Sequence, residues 1–198
     1  MSSILVVIIS YLLGSIAFGY LVAKYKKVDL RQLGSGNLGT TNAFRVLGPG
    51  PGVLVFIGDF LKGYLSARLG AAVGNEFLAV LAGLAAMVGH SYPIFLNFRG
   101  GKVIATGVGV LMAFDWRVGL LAIAIWALVV AVSRYVSLAS ILAAISVPVL
   151  LILLQAPTTY LIFGLVGASF AVYKHIPNIK RLRAGTEYKV GQKTKKGR

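Results

Sequence analysis

The chain has 198 residues, 58% of them apolar and only 13% charged, with a mean hydropathy of +0.84. Lys and Arg number 20 against 5 Asp and Glu, a formal charge of +15, and there is no cysteine. These figures argue against a soluble globule, which carries about 25% charged residues, against a disordered chain, and against any disulfide, thiolate or iron–sulfur chemistry.

Residues 2–23 contain no charged residue. About 20 apolar residues at ~1.5 Å each cross a bilayer, so this stretch is predicted as a first span. It lacks the basic start of a signal peptide, and Lys24, Lys26 and Lys27 follow it instead, so it is read as retained. Residues 24–51 form a long polar connection. Within it, 38–47 is predicted as a short interfacial helix of modest amphipathicity. Gly48-Pro49-Gly50-Pro51-Gly52 stops that helix and starts the next.

The second span, 52–70, carries Asp59, Lys62 and Arg68. Asp59 and Lys62 lie three apart and share a helix face, so they can pair toward the bundle interior. Gly70 and Gly74 fit the small-xxx-small pattern of close helix approach. A third span covers 77–97. Residues 101–114, bounded by Lys102 and Asp115, are a short fourth span or a re-entrant segment. Then come 117–133, 137–154 and 158–174, the last two divided by Gln155-Ala156-Pro157-Thr158 within a 39-residue uncharged stretch.

The predicted fold is an all-α integral membrane protein of seven transmembrane helices. It forms a single domain over 1–198, with 175–198 as a basic cytoplasmic tail. Seventeen of the 20 basic residues fall in loops on one side. The positive-inside rule places that side in the cytoplasm, with the N-terminus outside and the C-terminus inside. Five spans would give the same ends.

Three polar segments lie on that cytoplasmic face. The first, Gly34 to Arg45, packs Gly34, Gly36 and Gly39 with Ser35, Asn37, Thr41, Asn42 and Arg45. Glycines let backbone N–H groups turn inward as an anion-binding nest, and an arginine can hold a phosphate in a fork. A flexible Gly/Ser linker with a helix cap is the alternative. No Walker pattern occurs.

The second segment runs from His90 through Arg99, Gly100, Gly101 and Lys102. A Gly-Gly-Lys at a helix start would offer two exposed N–H groups and an ammonium; a two-glycine turn is the alternative. His90 is either functional or a hydrogen-bonding residue of the bundle. The third segment begins at Lys174 and includes His175 and Asn178, placed where the last span meets water. Its basic residues suit anionic lipid; nucleic acid is not expected as a partner. Capping of the tail is the alternative for His175 and Asn178.

The two histidines are far apart in sequence and the acids too few to converge, so no metal site is expected. What remains is phosphate chemistry: Ser35, Asn37, Asn42, Arg45, Lys102, His175 and Asn178. A phosphate or organophosphate transporter could use the same groups, but it needs a midplane site and commonly an inverted repeat. Alcohol phosphotransferases would require an acidic metal motif. A non-catalytic scaffold leaves the three segments unexplained.

Together the segments resemble the bacterial membrane glycerol-3-phosphate acyltransferases that use acyl phosphate, the PlsY family. Gly34 to Arg45 resembles the first motif, SGNxGxTNxxR. Gly89 to Thr106 resembles the second through Pro93, Gly100, Gly101, Lys102, Ala105 and Thr106. His175, Asn178, Ile179, Arg181, Leu182, Gly185, Thr186 and Glu187 resemble the third. Asp59, Lys62 and Gly63 are also similar, and the likeness covers about 1–190. Val103 stands where the family usually has glycine, and Thr40 replaces a common alanine.

The resemblance implies transfer of a fatty acyl group from acyl phosphate to the 1-hydroxyl of glycerol 3-phosphate. The products are 1-acylglycerol 3-phosphate (lysophosphatidate) and inorganic phosphate, the first step of phospholipid synthesis. It implies no cofactor, a site on the cytoplasmic face of the bacterial inner membrane, contact with membrane lipid, and functional coupling to the enzyme that makes acyl phosphate. The expected catalytic residues are Ser35, Asn37, Arg45, Lys102, His175 and Asn178. The expected phosphate-binding residues are Gly34, Gly36, Gly39, Thr41, Asn42, Gly100, Gly101 and Thr106. Asn37 or Asn178 is the candidate for stabilising the tetrahedral oxygen. His175 could take the hydroxyl proton, but the donor phosphate is the preferred acceptor.

Overall fold

A computed structural model describes residues 2–192. It is all-helical: α1 Ser3–Ser15, α2 Phe18–Tyr25, α3 Thr40–Leu47, α4 Pro49–Val73, α5 Glu76–Ser91, α6 Ile104–Phe114, α7 Trp116–Ser133, α8 Val136–Leu153, α9 Thr158–Lys174 and α10 Ile176–Arg183. A 3-10 turn covers Ile94–Leu96.

The protein is a multi-pass membrane protein. Among the described residues, four helical stretches are long and apolar enough to cross a membrane: Ser3–Tyr25, Glu76–Leu96, Trp116–Ser133 and Val136–Leu153. The pair α9 and α10, bent by 56° at His175, counts as a fifth if the two form one span. Large apolar side chains such as Ile4, Leu128, Val132 and Leu153 point outward, whereas the interior is dominated by Ala, Val, Gly and Ser. Lipid is as apolar as leucine, so helices gain by close contact rather than by hiding large side chains. Gly14 and Gly89 bring α1 against α5, and Gly63 and Gly109 bring α4 against α6; a Cβ at any of them would overlap the facing backbone. Gly70 does the same against Ala79, while Gly74 faces the Leu78 side chain.

Several expectations are corrected. The first span is broken at Ile16–Ala17. The break releases the Ile16 carbonyl, and the Lys62 ammonium donates to it at 2.8 Å. Residues 101–114 begin with a loop and contain the 11-residue α6, about 16 Å long, the shortest of the predicted spans. Lys102 precedes this helix in a loop. The start of the basic tail is the ordered helix α10; residues 193–198 lie outside the described residues.

The Asp59–Lys62 pair forms as the spacing predicts, at 2.8 Å and buried. His90 of α5 joins it, with Nδ1 3.4 Å from the Asp59 carboxylate. His90 thus joins a buried ion pair of the bundle, its backbone supports the next loop, and with Asp59 it also lines the large cavity described below. Gly48, at φ 89°, ends α3 and starts α4, a conformation open to glycine at little steric cost.

Candidate active site

The loop before α3 is built around Asn42. Its side-chain oxygen accepts the Ser35 N–H at 2.9 Å. Its amide donates to the carbonyls of Leu30, Leu33 and Asn37 at 3.1, 3.0 and 2.9 Å. Asn42 therefore braces the loop. Gly34 and Gly36 have φ of 61° and 71°, where a Cβ would clash. Asn37 accepts the Gly39 N–H on its oxygen at 2.8 Å, which leaves its amide nitrogen available. Thr40 and Thr41 open α3, whose early N–H groups carry the positive end of the helix dipole.

The Gly-Gly-Lys loop differs from expectation. The Gly100 and Gly101 N–H groups donate to the carbonyls of Ser91 and His90 at 3.1 and 2.9 Å, and the Ser91 hydroxyl donates back to the Gly101 carbonyl at 3.0 Å. The glycines let the loop lie flat on His90, where a Cβ would overlap. Their amides are not free for a ligand. Thr106 is fully buried with its hydroxyl unpartnered.

One cavity of about 610 Å³ gathers the rest. Ser35, Asn37, Arg45, Lys102, His175 and Asn178 all line it, as do Gly39, Thr41 and Asn42. Gly34, Gly36, Gly100, Gly101 and Thr106 do not; they shape the loops and helix start behind it. The polar groups occupy one end. From there the cavity continues along α6, α8 and α9 to Leu111, Val147 and Phe163. Phe163 lies 12 residues before His175, about 18 Å along a helix. Half the ~30 Å hydrocarbon core of a bilayer is comparable, so the channel has the reach of one lipid chain.

Glu187, outside the predicted site set, ties the polar end together. Its carboxylate accepts the Ser137 hydroxyl at 2.9 Å and the Asn178 amide at 2.7 Å on one oxygen. The other oxygen takes Arg181 Nε at 2.7 Å. The Asn178 oxygen in turn accepts the Lys102 ammonium. A buried carboxylate with three donors is well compensated. Only the resemblance of its segment could have singled it out, because Ser137 lies 50 residues away.

Burial sets the electrostatics. The Lys102 ammonium is pushed down to about 8, first by desolvation and then by the Arg181 charge. Burial likewise lowers Arg45, whose guanidinium stacks on Tyr188 at 4.8 Å. His175 is pushed down to about 4 by burial, so it is neutral at pH 7. Its Nδ1 lies 2.7 Å from the Ala171 carbonyl, which assigns the proton to Nδ1 and leaves Nε2 an acceptor. The site is thus a positive, partly desolvated pocket at the head of an apolar channel.

Val103, next to Lys102, has φ 63° and ψ −4°. This left-handed conformation costs a residue with a Cβ about 1–2 kcal/mol. Val103 is 1% exposed and packs in the apolar cluster with Leu111, Val147, Phe163 and Ala171.

Comparison with known proteins agrees in extent and fold. A family model described as glycerol-3-phosphate acyltransferase matches residues 4–185. The chain is 49% identical to the glycerol-3-phosphate acyltransferase of Desulforamulus reducens over 97% of both chains. It is 44% identical to that of Trichormus variabilis over 95% of this chain and 92% of the other. A crystal structure of PlsY (YgiH), an integral membrane glycerol 3-phosphate acyltransferase, in its glycerol 3-phosphate form superposes with a TM-score of 0.93. That pair is 43% identical, with 96% of each chain covered. The lysophosphatidic acid form gives a TM-score of 0.91 at 42% identity, again over 96% of each chain.

Proposed function

Since the chain belongs to the glycerol-3-phosphate acyltransferase family, we propose that it moves a fatty acyl group from acyl phosphate to the 1-hydroxyl of glycerol 3-phosphate. The products are lysophosphatidate and inorganic phosphate. The observation that carries this reading is the single cavity that joins a cationic polar end to an apolar channel. Acyl phosphate has the same two-part chemistry. The whole chain acts as one membrane-embedded acyltransferase domain. We take it to have seven spans, with α4 and the short α6 included and the basic end on the cytoplasmic side of a bacterial inner membrane; the positive-inside charge bias supports this.

In this mechanism Lys102 and Arg45 neutralise phosphate, with the dipole at the start of α3 adding to them. The hydroxyl oxygen of the acceptor attacks the acyl carbonyl carbon. The bond from that carbon to the phosphate oxygen breaks, and the hydroxyl proton passes to the departing phosphate. Asn37 is the donor for the tetrahedral oxygen, because both polar ends of Asn178 are engaged by Lys102 and Glu187. His175 accepts from the acceptor hydroxyl through Nε2 and orients it. With its affinity for protons pushed down to about 4, it is too weak a base at neutral pH to compete with phosphate.

Ser35 contributes a hydroxyl to the phosphate end, with no acyl-enzyme formed. Ser35→Ala is expected to lower transfer about 100-fold, the usual loss for one preorganised donor. Mass spectrometry of wild-type protein turning over should show no acyl adduct on Ser35; a trapped acyl-serine would overturn direct transfer.

The activity itself is tested with purified protein in detergent, labelled glycerol 3-phosphate and EDTA. Palmitoyl phosphate, palmitoyl-CoA and palmitoyl carrier protein are offered in parallel. Lysophosphatidate is expected from the acyl phosphate alone. No product from any donor, with monodisperse protein, would overturn the reading and favour a transport gate, which uptake of glycerol 3-phosphate into proteoliposomes would then reveal.

A further inference from the structure

We propose that Val103 is a specificity-determining residue: its buried side chain seals the join between the phosphate end and the acyl channel, and so favours the acceptor hydroxyl over water. This inference rests on the acyltransferase reading above. A residue at φ 63° is ordinarily glycine or asparagine. Here a β-branched residue occupies that conformation, lines the cavity and is 1% exposed. Such strain persists where the surroundings over-determine it, and it concentrates at functional sites. The methyl groups belong to the apolar cluster of the channel, while the preceding residue, Lys102, belongs to the cationic end.

Connectivity then locates the reacting bond. The phosphate of the donor goes with Lys102 and Arg45, and its hydrocarbon goes with Leu111, Val147 and Phe163. The carbonyl carbon must lie at the change from one lining to the other, where Val103 stands. Acyl phosphate is a mixed anhydride that water attacks as well as alcohols do. In that side reaction the water oxygen bonds to the carbonyl carbon and the carbon–oxygen bond to phosphate breaks. One proton of the water passes to the phosphate, giving fatty acid and inorganic phosphate. Glycine at 103 would relieve the backbone but open a hole, and asparagine would place a water-binding amide there. An apolar, branched side chain excludes water from the carbonyl.

The test compares wild type, Val103→Gly and Val103→Ala in the same detergent with palmitoyl phosphate and labelled glycerol 3-phosphate. Free palmitate above a protein-free blank and lysophosphatidate are both quantified. The palmitate-to-lysophosphatidate ratio is expected to rise about 10-fold in Val103→Gly, a change of one decade in relative rate, and by less in Val103→Ala. An unchanged ratio in variants that still transfer overturns the seal. So does parallel loss of transfer and hydrolysis in a monodisperse variant, which would make Val103 a brace of the loop only. If the glycine variant does not fold, the alanine variant decides alone. Wild type that makes no lysophosphatidate overturns the acyltransferase reading instead, so the two failures are distinct.

Discussion

Lys102→Ala is expected to reduce acyl transfer by at least about 1000-fold, a loss of ~4 kcal/mol of transition-state stabilisation, with the helical bundle intact. Its ammonium is fixed by Asn178 and sits in a partly desolvated pocket. A charge so placed acts on phosphate far more strongly than the same charge in water. Lys102→Arg should recover little, because a planar fork cannot replace a point charge held by one amide oxygen. Near-normal activity of monodisperse Lys102→Ala would overturn the phosphate assignment.

A pH dependence follows from the same residue. With Lys102 lowered to about 8, the free protein loses this charge as pH rises through 8, so kcat/KM should fall there. The stability sign is opposite. The unfolded chain holds the proton up to about 10.5, so the charged lysine is a penalty below about pH 8 that is relieved between 8 and 10.5. Activity lost above pH 8 therefore cannot come from unfolding at Lys102. A flat kcat/KM profile from pH 7 to 9 would contradict the role.

Glu187→Ala is expected to cost about 3 kcal/mol of stability, as when one partner of a buried charged network is removed, and to lower transfer about 100-fold. The carboxylate holds Ser137 of α8 together with Asn178 and Arg181 of α10. Without it the Asn178 amide loses its acceptor and the Lys102 tether loosens. Glu187→Gln should be milder, because it keeps acceptor capacity while losing charge. Thermal unfolding in detergent, with kinetics at saturating and limiting acyl phosphate, checks both effects. Wild-type stability and activity in Glu187→Ala would show that Lys102 is placed without this network.

Much of the fold was legible from charge alone. The uncharged stretches became Glu76–Leu96 (α5 with the 3-10 turn), α7, α8 and α9, each within one residue of its predicted ends, although α5 itself stops at Ser91. In lipid, charge is excluded from helix surfaces far more strictly than in water, so gaps between charges mark helices. Gly48 to Gly52 marked the join of α3 and α4, and Asp59 with Lys62 was legible because three residues make nearly one helical turn. The break at Ile16 follows Gly14-Ser15, a pair at which helices can kink, but the neighbouring sequence does not show what takes up the freed carbonyl. It is compensated by Lys62, a residue 46 positions away. Helix α10 was hidden because basic composition describes a tail and an interfacial helix equally well.

The same division holds at the site. Residue types and local spacing picked out the segments proposed to carry phosphate chemistry, because glycines, amides and cations in short polar runs have little other use beside a membrane. Only tertiary structure decided what each group is free to do. Asn42, Gly100 and Gly101 looked like ligands, yet their hydrogen-bonding groups are engaged by the chain. Glu187 became central by meeting Ser137 across 50 residues. A hydrogen-bonding group can bind substrate only if the fold leaves it unsatisfied, and that depends on partners brought together by packing rather than on neighbours in the chain.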